Sequence, residues 1–132
     1  MMASMSATAF PDSTPRPETA LDERPAAPSI SAVIPAYNEA DNLPELLPLL
    51  VDTLQRLAPQ WEVIVVDDGS TDATPQLMRG WATRARIRYL RLSRNFGKEA
   101  ALTAGIDAAR GDVVVLLDAD LQHPPELIGQ ML

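Results

Sequence analysis

The chain has 132 residues, room for one small domain, and its 46% hydrophobic and 22% charged residues are those of a globular protein. It holds no cysteine, which excludes a disulfide framework, a thiolate metal site and a cysteine nucleophile, and fits a reducing cytoplasm. A net charge of −7 argues against general nucleic-acid binding, which works by neutralising phosphates.

Residues 1–28 are rich in Pro, Ala, Ser and Thr without a sustained apolar period, and read as a disordered tail ahead of a domain over residues 29–132. Ile30–Ile34 reads as a short apolar strand. Asn42–Leu57 reads as a helix, with leucines at 43, 46, 47, 50, 54 and 57 in one stripe. Pro44 suits its first turn, whereas Pro48 is expected to kink the helix or delay its start. Glu62–Asp67 is a second buried strand. Thr71–Arg84 is a helix with Ser70 or Asp72 as cap and Pro75 in its opening turns. Arg86–Leu92 is a third strand. Gly97–Ala109 is a helix of small residues able to lie close to a sheet, ended by Gly111. Asp112–Leu117 is a fourth strand, apolar enough to be buried on both faces. Pro124 or Pro125 opens a last helix.

Strands alternating with helices over short links give an α/β fold, with a parallel sheet, right-handed crossovers and flanking helices. No apolar run approaches the ~18–20 residues that cross a bilayer. The first residues lack the charged start and apolar core of a signal peptide. As given, the chain is expected to be neither secreted nor membrane-spanning.

Three segments fall at the carboxyl ends of strands, where ligands bind in open α/β sheets. Pro35-Ala36-Tyr37-Asn38-Glu39 follows the first strand, Asp67-Asp68-Gly69-Ser70 the second and Asp118-Ala119-Asp120-Leu121-Gln122-His123 the fourth. Asp118 and Asp120, spaced i, i+2, leave the strand on the same side and repel each other unless a cation sits between them. A divalent ion held by hard oxygens, Mg²⁺ or Mn²⁺, fits best, and Gln122 offers a further neutral oxygen. His123, the single histidine, reads more readily as a structural residue before two prolines than as a metal ligand or a phosphate contact. Asp67-Asp68-Gly69-Ser70 reads as a βα turn, or as a carboxylate that bonds a base or ribose. Tyr37 reads as a stacking residue or a half-buried one.

Arg79, Arg84, Arg86, Arg88, Arg91, Arg94 and Lys98 form a basic stretch without an acidic residue. It is either a solvated surface or, in one or two members, a phosphate contact. Neither GxxxxGK[ST] nor GxGxxG is present, which weakens kinase, GTPase and dehydrogenase readings. Lys98 at a helix N-terminus suits an anion.

Taken together, VIPAYNEADNLPELL (Val33–Leu47), EVIVVDDGSTDAT (Glu62–Thr74), RNFGKEAALTAGIDAARGD (Arg94–Asp112) and DADLQHPPE (Asp118–Glu126) resemble family 2 glycosyltransferases of the GT-A fold. The nearest resemblance is to the polyprenyl-phosphate branch, dolichol-phosphate mannosyltransferase-like and undecaprenyl-phosphate glycosyltransferase-like. The resemblance implies a Rossmann-like sheet forming the N-terminal half of a GT-A domain, and inverting transfer from a UDP- or GDP-linked sugar to a polyprenyl phosphate. It implies a nucleotide-sugar site of Pro35, Tyr37, Glu39, Val66, Asp68, Lys98, Asp118, Ala119 and Asp120. Asp118 and Asp120 would be catalytic, and Asp118, Asp120 and Gln122 would hold Mg²⁺ or Mn²⁺.

Members of this family run well past DADLQHPPE, so the sequence is expected to be the donor-binding part of a longer enzyme that works in the cytoplasm or at the cytoplasmic face of the membrane. Membrane association would come from the missing part or from the lipid acceptor. The alternative is a non-catalytic module that binds a nucleotide diphosphate. A nucleotidyltransferase is disfavoured, because PAYNEADN stands where a Gly-rich basic loop would be.

Overall fold

The computed structural model describes residues 28–84 and 86–119. The tail up to residue 27, the proposed last helix, and Asp120, Gln122 and His123 lie outside them. Among the described residues four strands and three helices alternate: β1 (Ile30–Ala36), α1 (Leu43–Leu57), β2 (Trp61–Asp67), α2 (Thr74–Trp81), β3 (Ile87–Arg91), α3 (Lys98–Ala108) and β4 (Val113–Leu116). All strand pairs are parallel, in the order β3-β2-β1-β4. The parallel sheet with flanking helices is the expected one.

β1 and β2 are buried along their whole length, as apolar runs covered on both faces must be. Side chains alternate across them. Ile30, Ala32 and Ile34 meet the leucine stripe of α1 on one face, with Met78 of α2 joining the same core. Val33, Ile64 and Val66 meet α3 and Ala101 on the other. α3 approaches closely because Gly105 has no side chain: a Cβ there would overlap Val33 Cγ1 and stand 3.0 Å from Val66 Cγ2.

Several local expectations are corrected. Pro48 does not delay the start of α1, which begins at Leu43 and continues past it. The missing N–H removes one internal bond, but the buried stripe of Leu43, Leu46, Leu47, Leu50 and Leu54 outweighs it. α2 begins at Thr74 rather than Thr71; Thr71 and Asp72 stand before it, with their backbone N–H groups donating to Asn38 Oδ1. Ser70 caps no helix; its hydroxyl accepts the Asn38 N–H at 2.9 Å. α3 ends where Ala109 turns extended, and Gly111 instead donates its N–H to Ser31 Oγ at 2.8 Å.

β4 is not buried on both faces. Val115 faces the α1 core, whereas Val114 and Leu116 are 38% and 45% exposed. β4 stands at the edge of the described sheet, and no described element covers the face those two residues share.

Candidate functional site

β2 and β3 lie to one side of β1, and β4 lies to the other. The direction of winding therefore reverses between β1 and β4, and a crevice opens beyond their carboxyl ends. A cleft of about 360 Å³ occupies that place. It is lined by Pro35, Ala36, Tyr37 and Glu39 after β1, Asp68 after β2, Asn95, Gly97 and Lys98 before α3, and Asp118 and Ala119 after β4.

The first two loops are bonded into one wall. Asn38, in the left-handed region at φ 54°, turns its Oδ1 to the N–H groups of Thr71 at 2.8 Å and Asp72 at 3.2 Å. Asparagine tolerates this conformation better than most residues. In return the Glu39 N–H donates to Thr74 Oγ1 and the Ala40 N–H to Asp72 Oδ2. Burial acts to raise the Asp72 carboxyl, but hydrogen bonds from the Thr74 side chain, Thr74 N–H and Ala40 N–H outweigh it and hold the group below its ordinary value.

Asp67 and Asp68 divide the work of the second loop. Asp67 is fully buried and accepts the Ser70 N–H at 2.7 Å and the Tyr89 hydroxyl at 2.6 Å. Burial, reinforced by the Asp67 carboxylate, pushes the Tyr89 phenol well above its ordinary value, so it stays a donor. Asp68 lines the cleft, yet its Oδ1 accepts the Phe96 N–H at 2.8 Å and its Oδ2 the Gly97 N–H at 3.0 Å. A carboxylate thus already holds the entrance of α3. A carboxylate has about four acceptor positions, so Asp68 keeps capacity for a ligand hydroxyl or N–H. The close approach of the two loops requires Gly69: its φ is +78°, and a Cβ would stand 2.5 Å from the backbone of Arg94 and Asn95.

At the other end of the cleft, Lys98 Nζ donates to Asp118 Oδ1 at 2.6 Å. Asp118 is thus a hard oxygen donor already facing a cation, the ammonium. No group of three or more carboxylates and imidazoles that could hold a metal occurs among the described residues. A site of this kind suits an ion that takes one or two protein carboxylates and completes its shell with substrate oxygens and water, as Mg²⁺ does.

Of the site residues expected from sequence, Pro35, Tyr37, Glu39, Asp68, Lys98, Asp118 and Ala119 come together at this cleft. Val66 does not: its side chain is fully buried against α3. Asp120 and Gln122 lie outside the described residues. Asn95 and Gly97 were missed as lining residues, although they sit in the quoted RNFGK segment beside Lys98. In the basic stretch, Lys98 alone lines the cleft. Arg88 pairs with buried Glu62 at 3.0 Å, and Arg84, Arg86 and Arg94 lie over Trp81, Trp61 and Phe96.

The sequence profile described as Glycosyl transferase family 2 matches residues 31–132. The chain is 50% identical over 104 residues to the uncharacterized glycosyltransferase sll0501 of Synechocystis sp., covering 78% of this chain and 33% of that protein. It is 46% identical over 105 residues to the undecaprenyl-phosphate 4-deoxy-4-formamido-L-arabinose transferase of Pseudomonas fluorescens, covering 78% of this chain and 31% of that one. The chain thus spans about a third of the length of these curated relatives. Among solved structures, it resembles the mannosyltransferase PcManGT of Pyrobaculum calidifontis in complex with GDP-Man and Mn²⁺, with 34% identity and a TM-score of 0.64 over 70% of this chain and 28% of that chain. It also resembles S. aureus TarS 1-349 in complex with UDP-GlcNAc, with 28% identity and a TM-score of 0.60 over 70% of this chain and 26% of that chain.

Proposed function

Because this chain belongs to glycosyl transferase family 2, with the sheet of a GT-A glycosyltransferase, we propose that it forms the donor-binding part of an enzyme moving a sugar from a nucleotide diphosphate to a polyprenyl phosphate. The observation that carries the reading is the cleft at the switch between β1 and β4, where four loops bring a carboxylate wall and a Lys98–Asp118 pair into one space. The bonded wall of Pro35, Tyr37, Glu39 and Asp68 receives the base and ribose, with the Val66 backbone behind it. Lys98, Asp118, Ala119 and Asp120 receive the diphosphate.

Asp118 and Asp120 act as the catalytic carboxylates, and with Gln122 they hold Mg²⁺ or Mn²⁺. The relative bound to GDP-Man and Mn²⁺ supports that choice of ion. A divalent ion bound there supplies Lewis-acid stabilisation of the departing diphosphate. The acceptor class rests on the undecaprenyl-phosphate transferases to which the chain is similar. A lipid phosphate is already anionic at neutral pH and attacks without a strong general base, and inversion follows from a single direct displacement. Such an acceptor is a membrane lipid, and the cytoplasmic face of the membrane as the site of reaction belongs to the same proposal.

Calorimetric titration with UDP and GDP, with and without Mn²⁺, tests the reading on this chain. Binding that requires Mn²⁺ and is lost in Asp118→Ala supports it, and the tighter nucleotide identifies the donor base. Binding indifferent to both Mn²⁺ and Asp118 overturns it. Transfer to undecaprenyl phosphate by the longer protein tests the acceptor, and absence of turnover there leaves only a nucleotide-binding module.

A further inference from the structure

We infer that a second ligand site lies at the amino ends of β2 and β3, and that it takes a small organic oxyanion, a carboxylate or phosphate monoester carried on an apolar body. A cavity of about 470 Å³ opens there, lined by Val51 and Gln55 of α1, Trp61 of β2, Arg84 and Arg86 before β3, and Ile87. The proposed transfer does not use it. Trp61 and Ile87 begin their strands, whereas the cleft lies beyond the strands' other ends.

The lining divides in two. Val51, Trp61 and Ile87 form an apolar side, with Trp61 and Ile87 buried. Arg84 and Arg86 supply two positive charges, and Gln55 a neutral polar group. A concave, largely apolar space of this size with a few convergent polar groups suits a small molecule.

The two guanidinium groups are held in place with donors to spare. That of Arg84 lies 3.9 Å from the centre of the Trp81 ring, and that of Arg86 5.2 Å from the centre of the Trp61 ring. A guanidinium over a ring is held without spending the N–H donors at its edge. Arg86 spends one of its donors, from Nη1 to the Pro59 carbonyl at 3.2 Å. Among the described residues neither arginine meets a carboxylate, unlike Arg56 with Asp52 and Arg88 with Glu62. Guanidinium forks fixed in this way match the paired oxygens of a carboxylate or phosphate.

The backbone points the same way. Arg86 has a φ of 80°, in the left-handed region, which costs arginine more than glycine or asparagine. Entry into β3 alone would be better served by glycine. Arginine there keeps a guanidinium at the cavity, and strained non-glycine residues gather at ligand clamps.

The chain has two tryptophans, and both lie under these arginines. Their indole N–H signals in a ¹⁵N–¹H NMR spectrum of the full chain therefore report on the cavity. Phenyl phosphate and benzoate are the probes. At least one should shift the Trp61 signal saturably, and the tighter of the two identifies the head group as phosphate or carboxylate. Arg84→Gln and Arg86→Gln should each weaken that probe about ten-fold, the loss of one hydrogen-bonded charge. Arg84→Gln removes no side-chain hydrogen bond among the described residues, so it tests the site without disturbing the fold. Inorganic phosphate should bind about ten-fold more weakly than phenyl phosphate, because it leaves the apolar side unfilled. Equal affinity for inorganic phosphate overturns the two-part site. So does the absence of a saturable shift with either probe, or an affinity unchanged in both variants. Titration of the same variants with UDP and GDP in the presence of Mn²⁺ reads the cleft separately, so failure of this site leaves the proposed function standing.

Discussion

Tyr89 on β3 donates its hydroxyl to Asp67 at the end of β2, 2.6 Å away, and so fixes the carboxylate that shapes the next loop. The other Asp67 oxygen accepts the Ser70 N–H, and Ser70 Oγ in turn accepts the Asn38 N–H. A single strand-to-strand contact thus reaches the cleft wall in three steps. Tyr89→Phe leaves a buried carboxylate oxygen without its donor and should destabilise the fold by about 1–3 kcal/mol in urea unfolding. The Tyr89 phenol is raised in the fold. Its contribution is therefore complete below the unfolded tyrosine value near 10 and is lost as pH rises toward the folded value. The stability gap between wild type and Tyr89→Phe should be constant from neutral pH up to that point and narrow above it.

Asp68→Asn tests the clamp on α3. The amide keeps one acceptor oxygen and turns an NH₂ toward one of the two N–H donors, Phe96 or Gly97. Loss of one bond to a charged acceptor should cost about 1–3 kcal/mol. Amide exchange at Phe96 and Gly97 should accelerate while that of β1 stays unchanged, and nucleotide affinity should fall.

Two glycine substitutions should have opposite signs. Gly105→Ala places a methyl against buried Val33 and Val66. Overpacking of about 1–3 kcal/mol outweighs the better helix propensity of alanine, so the melting temperature should fall. Gly80→Ala, in α2, meets nothing within 4 Å and should stabilise by about 0.5–1 kcal/mol.

Asp72 predicts an acid effect. Its carboxyl is held low in the fold by hydrogen bonds from Thr74 and Ala40 that outweigh its burial. Its contribution is present above the unfolded aspartate value near 3.9 and is lost as pH falls through the folded value. Asp72→Asn should therefore lower the melting temperature at neutral pH and lower it less at pH 3. Because the group is largely exposed, added salt should shrink the difference.

The order and type of the elements were legible in the sequence because the leucine stripe of α1 and the valine-rich strands carry strong and different periods. The meeting of the loops after β1, β2 and β4 followed from topology, since carboxyl ends of parallel strands share one edge. Four things were not legible. Pro48 obeys packing rather than propensity. Asp68 has a backbone-holding role set by a loop 28 positions away. The exposure of Val114 and Leu116 depends on what stands beside β4, which the composition of the strand does not state. The buried Glu62, bonded to Ser31, Arg88 and the Arg110 N–H, was also hidden, because its partners come from three separate parts of the chain.

The strand order has a consequence for how the molecule comes into being. β1 emerges first, yet its second neighbour is β4, and contacts such as Gly111 to Ser31 span 80 positions. Local units β1–α1–β2 and β2–α2–β3 can assemble as the ribosome extends the chain, while the closing of so long a loop is slow. Until β4 docks, the crevice has one wall, because Asp118 and Ala119 travel with that strand. On the proposed reading, ligand competence thus waits for β4 to dock, and a donor nucleotide present during synthesis would stabilise only the chains that have completed this step.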